Sequence, residues 1–69
     1  MTDSTITLNG EAHPLGEPAP LPDLLESLGL ASKPVVVELD GRALPRSAHP
    51  GTVIHPGARL VIVTLAAGG

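Results

Sequence analysis

The first part of the chain alternates polar and apolar residues and then reaches a strong turn signal. Thr5 to Leu8 alternates and runs into Asn9-Gly10, a dipeptide that favours the positive φ angles of a two-residue hairpin turn. The pattern predicts a first strand over Thr5 to Leu8 and a short return strand over Glu11 to Leu15. Pro14 places the return strand at a sheet edge or at its own end, because proline donates no hydrogen bond.

The next segment changes to helical spacing. Its leucines fall at i, i+3, i+4 and i+7, on one stripe of a helix: Leu21, Leu24, Leu25 and Leu28. Pro22 suits the first helical turn, where a missing N–H removes no hydrogen bond, and Gly29 suits the C-terminal cap. We expect one short helix whose leucine stripe belongs to the core.

Three further strands are predicted after the helix. Residues 35–37 are three consecutive valines, a β-branched run typical of a strand buried on both faces. Asp40-Gly41 then turns the chain into a brief strand that ends at Pro45. The last strand is predicted from Arg59 to Leu65, and the turn-rich segment before it, 47–57, is interpreted as a loop.

This order of elements predicts an α+β fold, in which a mixed sheet of four or five strands carries one helix across one face. We expect the first and last strands to pair in the middle of the sheet, where their directions would be parallel. The domain is expected to span residues 1–65, and residues 66–69 are expected to form a flexible tail.

Composition narrows the classes of function. The chain has only four Lys and Arg residues, a net charge of −3 and no Phe, Tyr or Trp, so it lacks both the cations and the stacking surfaces of nucleic-acid-binding proteins. It has no Cys and therefore no disulfide or thiol chemistry of its own. Its apolar runs fall far short of the roughly 20 residues of a membrane helix, and its N-terminus does not resemble a signal peptide. We expect a cytoplasmic protein that binds neither nucleic acid nor membrane.

The candidate catalytic and metal-binding side chains are scattered. His13, His49 and His55 are each followed by proline, which holds them in extended or turn conformations. No helical His spacing or carboxylate cluster accompanies them, as a metal site would need. A chain of 69 residues also offers little room for a ligand pocket of ordinary size. We expect no metal site and no catalytic residue of the chain's own.

The sequence ends in "LAAGG" directly after the last predicted strand. Glycine buries almost no apolar surface and loses the most backbone freedom on ordering, so these residues do not serve the core. Small residues can enter a channel too narrow for side chains, and the carboxylate of Gly69 is unhindered. With ATP this carboxylate can become an acyl-adenylate, and displacement of AMP by sulfur would give a C-terminal thiocarboxylate. A frayed, inert terminus is the alternative.

Together these segments resemble the ThiS family of sulfur carriers in thiamin biosynthesis. The resemblance is carried by "LNGE", "LPDLLESLGL", "VVVELDGRALPRS" and the terminal "AAGG". It implies a ubiquitin-like β-grasp fold and a carrier that is not an enzyme. An E1-like adenylyltransferase of the ThiF type would activate Gly69 with ATP, and a relay fed by a cysteine desulfurase would supply the sulfur. A thiazole synthase of the ThiG type would then accept it.

The resemblance also implies two sets of recognition residues. The residues recognised in the tail would be Ala66, Ala67 and Gly68. The partners would dock on the exposed sheet face near the last strand, and the candidate docking residues there are Val61, Val63 and Leu65. Arg46 is a further candidate, because the forked donors of arginine bind acidic groups well; a solvated position is the alternative. Alternation along the last strand defines a set of residues on one face but not whether that face points outward.

The sequence departs from this family just before the last strand. Such carriers commonly have Asp-Gly-Asp there, whereas His55 to Arg59 reads "HPGAR" and keeps only Gly57, which removes two acidic groups available for a partner contact. Three other interpretations remain open. They are a MoaD-type small subunit of molybdopterin synthase, a ubiquitin-like protein modifier, and an interaction module with an inert tail. The segment "LPRS" at 44–47 points away from the MoaD type.

Overall fold

In the part of the chain that the structure describes, one α-helix lies between the first three and the last four of its short strands. The computed structural model describes residues 4–65. Its strands are β1 (Thr5–Leu8), β2 (Glu11–Pro14), β3 (Ala19–Pro20), β4 (Val35–Leu39), β5 (Arg42–Leu44), β6 (Val53–Ile54) and β7 (Arg59–Thr64). Helix α1 spans Leu21–Ser27, and a 3₁₀ helix spans Arg46–Gly51. Five strands form the main sheet in the order β2-β1-β7-β4-β5, and β3 pairs with β6 in a separate ribbon.

The last strand, β7, lies at the centre of the main sheet. It pairs in parallel with β1 and antiparallel with β4, so the predicted parallel pairing of the first and last strands is confirmed. Five residue pairs join β4 and β7, from Val35 opposite Thr64 to Leu39 opposite Leu60. The chain therefore leaves the sheet from its centre, beside the beginning of β4.

Helix α1 begins without a side-chain cap among the described residues. Instead, the Leu21 N–H donates to the carbonyl oxygen of Thr52 at 2.8 Å, and Pro22 has no N–H to satisfy. Thr52 is itself held by its hydroxyl, which donates to the carbonyl oxygen of Ala48 at 2.7 Å. The segment just before β6 therefore supplies the hydrogen bond that an N-cap side chain ordinarily gives.

Gly29 ends the helix, as the sequence predicts. Its φ is +77°, and its N–H donates to the carbonyl oxygen of Glu26 at 3.0 Å. The Leu30 N–H donates to the carbonyl oxygen of Leu25 at 2.8 Å. These two bonds form a Schellman motif, and they satisfy carbonyl groups at the helix end that would otherwise lack partners.

The core lies between α1 and one face of the sheet and is entirely aliphatic. The buried hydrophobic residues are Ile6, Leu21, Leu24, Leu25, Val37, Ile54, Leu60 and Ile62. Three of the four leucines in the predicted stripe are thus buried, and Leu28 packs half-buried at the margin. Leu60 and Ile62 bring the central strand into this core.

Strand β4 is not buried on both faces, and that prediction from the valine run is wrong. Val37 is fully buried, whereas Val36 is 42% exposed. The helix covers only one face of the sheet, and the valines reflect the general preference of β-branched residues for strands.

The predicted boundaries also differ at three places. Strand β2 ends at Pro14 rather than Leu15, and β7 ends at Thr64 rather than Leu65. The segment interpreted as a loop contains most of the 3₁₀ helix and all of β6. These elements depend on distant partners, since β6 pairs with β3, and local spacing does not reveal such partners.

Two similar turns close the hairpins of the main sheet. Asn9 and Asp40 each have a φ of +51°, and the glycines after them, Gly10 and Gly41, have φ of +85° and +86°. Positive φ at both central positions defines the type I′ turn, whose twist matches that of paired strands. Both turns were predicted from their dipeptides, and both are confirmed.

Asn9 also fastens the first hairpin to the central strand. Its backbone N–H donates to the carbonyl oxygen of Leu60 at 2.8 Å. Its side-chain Nδ2 donates to the carbonyl oxygen of Ile62 at 3.2 Å, and its Oδ1 accepts the Ile62 N–H at 2.8 Å. The side-chain amide thus takes the place of a strand backbone and continues the pairing of β7 beyond the end of β1.

Asp40 makes a smaller version of this contact on the other side of β7. Its N–H donates to the carbonyl oxygen of Arg59 at 2.8 Å, and its Oδ1 accepts the Arg59 N–H at 2.9 Å. Here the side chain meets only a donor, so a carboxylate suffices. Asn9 meets a donor and an acceptor, which an amide can satisfy together.

We expect Asn9→Gly to lower the free energy of unfolding by about 1–3 kcal/mol, because glycine keeps the positive φ but removes two part-buried hydrogen bonds. Urea denaturation measures this change. Asp40→Gly is the matched control, since it removes one exposed hydrogen bond at the same φ, and we expect it to cost less than about 1 kcal/mol. Equal losses in the two variants would contradict the special role of the Asn9 amide.

Candidate functional site

The end of the central strand is the place where the described chain approaches its predicted functional residues. The Leu65 N–H donates to the carbonyl oxygen of Pro34 at 2.9 Å, which ties the chain to the beginning of β4 just past the end of β7. The residues predicted to be recognised or activated lie outside the described residues, and their roles stay predictions: Ala66, Ala67, Gly68 and Gly69.

The sheet face opposite the helix carries an exposed apolar patch beside this point. We call this side of the sheet the outer face, and its apolar patch consists of Val36, Val61, Val63 and Leu65. Leu60 and Ile62 are buried under the helix, so the alternating residues of β7 point the other way. The direction that the sequence left open is therefore resolved.

Exposure on the outer face increases toward the tail. Val61 is half-buried, whereas Val63 and Leu65 are 51% and 49% exposed. Val36 lies directly opposite Val63 in the register and joins the patch from the neighbouring strand. Charged residues lie further back, because exposed Glu38 pairs with Val61 and exposed Arg59 begins β7. The part of this face nearest the tail is thus its apolar part.

Arg46 lies apart from the other three docking candidates. It begins the 3₁₀ helix and borders a shallow depression of about 210 Å³ on the helix side of the sheet. Pro22 and Leu25 of α1 and His49 line the same depression. The structure brings Val61, Val63 and Leu65 together on the outer face and separates Arg46 from them. The docking role of all four residues stays a prediction.

The histidines do not form a group. His49 is buried in the 3₁₀ helix, His13 is half-buried and His55 is exposed. Within residues 4–65, no three His, Asp or Glu side chains lie close enough together to hold a metal ion. In the same part of the chain, no helix has the length and apolar character needed to cross a membrane.

The sequence model of the ThiS family matches residues 5–69, which is nearly the whole chain. The chain belongs to the ThiS family. It is also similar to the crystal structure of a thiamine biosynthesis protein (ThiS) from Geobacter metallireducens, with 29% sequence identity and a TM-score of 0.80. That likeness covers 94% of this chain and 99% of the other. No curated protein matches the sequence. The predicted family and its β-grasp fold are confirmed.

Two features of the site were missed by sequence reasoning. Val36 was assigned to the core, although it belongs to the outer face, because three consecutive valines hide the alternation of a strand. The bond between Asn9 and Ile62 was also missed, because the two residues are 53 positions apart. The only available sequence signal is that Asn9 comes directly after the first predicted strand, where a side chain can reach a neighbouring strand.

The buried histidine offers a test of the packing beside Arg46. His49 is 9% exposed, and its Nε2 has no hydrogen-bond partner among the described residues. Because an unsatisfied buried polar atom destabilises the folded state, we expect His49→Leu to raise the free energy of unfolding by about 1 kcal/mol. Thermal or urea unfolding measures it. His55→Leu, at an exposed site, should change stability by less than about 0.5 kcal/mol. A large decrease in the free energy of unfolding of His49→Leu would show that the imidazole stabilises the folded state.

Proposed function

We propose that this chain is a sulfur carrier of thiamin biosynthesis and acts in the cytoplasm as a substrate of partner enzymes. Its terminal carboxylate, on Gly69, becomes a thiocarboxylate whose sulfur is donated for thiazole formation. The observation that carries this proposal is the ThiS-family match, which extends through Gly69. The same match favours a thiazole acceptor over molybdopterin, and the solved relative's description as a thiamine biosynthesis protein agrees with it.

The chemistry needs only a free carboxylate from the carrier. The carboxylate oxygen of Gly69 attacks the α-phosphorus of ATP, pyrophosphate leaves, and an acyl-adenylate forms. A sulfur nucleophile then adds to the acyl carbon, and the carbon–oxygen bond to AMP breaks. A ThiF-type adenylyltransferase binds the ATP, and a cysteine desulfurase relay supplies the sulfur. A ThiG-type thiazole synthase takes the sulfur from the finished thiocarboxylate.

The fold limits where a partner can place its catalytic centre. Four residues follow Leu65, and a fully extended chain of that length spans about 14 Å. A partner that reaches the carboxylate of Gly69 must therefore also approach the end of β7. Small residues suit this segment because a narrow channel excludes water and admits no side chains.

The outer face supports this docking arrangement. Val36, Val63 and Leu65 are each between 42% and 51% exposed, and they lie at the C-terminal end of β7, where the tail begins. Contiguous exposed apolar residues often mark a protein interface. We propose that the adenylyltransferase and the thiazole synthase both bind this patch. Because each needs the same tail, they bind in turn.

The proposed chemistry is tested first by mass. We expect the intact chain, incubated with ATP, a ThiF-type adenylyltransferase and a sulfide source, to gain the mass of one oxygen replaced by one sulfur. A chain lacking Gly69 should show no gain. Gly68→Val should fold normally but resist adenylation, because a β-branched side chain does not fit a glycine channel. No gain in the intact chain with an active cognate partner would return the interpretation to a protein modifier or an inert module.

The proposed docking surface is tested with a matched pair of valines. We expect Val63→Glu to weaken binding to the adenylyltransferase by about tenfold or more, because it puts a charge into the centre of an apolar interface. Val53→Glu is the control, since Val53 is similarly exposed, at 45%, but lies on β6 away from the outer face. Calorimetry would measure both affinities. Equal effects of the two substitutions would exclude the outer face as the docking surface.

A further inference from the structure

Asn9 is the chain's one side-chain amide, since the sequence contains a single Asn and no Gln. It precedes Gly10, and this order is chemically sensitive. The backbone nitrogen of a following residue can attack the side-chain carbonyl carbon of asparagine, and glycine hinders that attack least because it has no Cβ. The same residue joins the first hairpin to the central strand. The amide group that can react is therefore the group that makes the bonds to Ile62.

The nucleophile of this reaction is open in the folded chain. Among residues 4–65, the Gly10 N–H has no hydrogen-bond partner. A Cβ placed on Gly10 would meet no atom within 4 Å, so the surroundings of this residue are also free. The attack is therefore blocked at Gly10 neither by a hydrogen bond nor by a neighbouring side chain.

The electrophile, in contrast, is restrained. Both polar atoms of the Asn9 amide are engaged by Ile62, through bonds of 3.2 Å and 2.8 Å. Closing a ring onto Gly10 requires the amide carbon to turn back toward the turn, which breaks both bonds. Ile62 is 7% exposed and belongs to the core, so this rupture leaves the N–H and carbonyl oxygen of a buried residue without their partners.

We propose that Asn9 is a site of spontaneous deamidation, which its bonds to Ile62 suppress in the folded state, and that its conversion loosens the central strand. The Gly10 nitrogen bonds to the Asn9 Cγ, the Cγ–Nδ2 bond breaks, and the nitrogen's proton leaves with ammonia. Water then opens the succinimide ring and gives aspartate or isoaspartate at position 9. The reaction needs no oxidant, reductant or enzyme.

The product no longer fits its partner on β7. A carboxylate can still accept the Ile62 N–H, but it has no donor for the Ile62 carbonyl oxygen, so two oxygen atoms face each other without a proton between them. The Asp40 contact shows the difference, because there a carboxylate faces only the Arg59 N–H. Deamidation is irreversible, and it would mark each chain in which the Asn9 side chain had left Ile62.

The protective role is tested on the intact chain without any partner enzyme. Folded and urea-unfolded samples are held in mildly alkaline buffer, and the mass gain from replacing NH by O is followed. With only one amide side chain, any such gain reports Asn9. We expect the deamidation rate of the folded chain to be at least about tenfold lower than that of the unfolded chain, because two hydrogen bonds must first break. Asn9→Asp is the blank and should gain no mass. Equal rates in the two states would overturn the proposal.

The consequence for β7 is tested by hydrogen exchange at the Ile62 amide. We expect this amide to exchange at least about tenfold faster in Asn9→Asp than in the original chain, whereas Asp40→Asn, the matched control, should change it little. Unchanged exchange in Asn9→Asp would overturn the loosening. If Asn9→Asp folds poorly, Asn9→Gly, which removes both bonds to Ile62 and keeps the positive φ, gives the same comparison. Neither test uses the tail or a partner, so both are independent of the carrier proposal.

Discussion

The pairing of β7 on both sides is the interaction on which the rest of the structure depends. A central strand must find a partner for every buried N–H and C=O group, and β7 obtains them from β1 on one side and β4 on the other. Where β1 ends, the side chain of Asn9 takes over. This pairing holds Leu60 and Ile62 in the core.

The helix depends on that sheet rather than on its own sequence. Seven residues are too few for a helix to be stable alone in water. Helix α1 persists because three of its leucines are buried on the sheet and because the carbonyl of Thr52 satisfies its first N–H. Small elements such as β6 are therefore structural supports, since the segment that leads into β6 fixes the helix start.

The sequence predicted the features that depend on neighbouring residues. The dipeptide Asn9-Gly10, the leucine spacing and Gly29 each encode a local conformation, and each appears as expected. The parallel pairing of the first and last predicted strands followed from the order of elements alone. Features that join distant residues were not predictable in the same way. The Asn9 amide meets Ile62 only after the sheet has formed, and Val36 lies outside the core only because the helix covers one face.

In the candidate site, too, local sequence patterns were predictive and the arrangement of distant residues was not. Sequence alternation grouped Val61 with Val63 and Leu65, but the direction of the group required knowledge of which face the helix covers. Arg46 is a candidate because its guanidinium could bind acidic groups of a partner, and the structure places it beside His49 on the helix side. A residue assigned to the docking surface from the sequence is thus not necessarily near that surface in space.

The central position of β7 also determines how the fold bears mechanical load. A partner that draws the chain end into a channel pulls along the axis of β7. Its hydrogen bonds to β1 and β4 run across that axis, so they are loaded together in shear and are not peeled apart one by one. A terminal segment on an edge strand would transmit the same pull to one neighbour only. The fold can therefore be held by its end without unravelling, as the proposed transfer between partner enzymes requires.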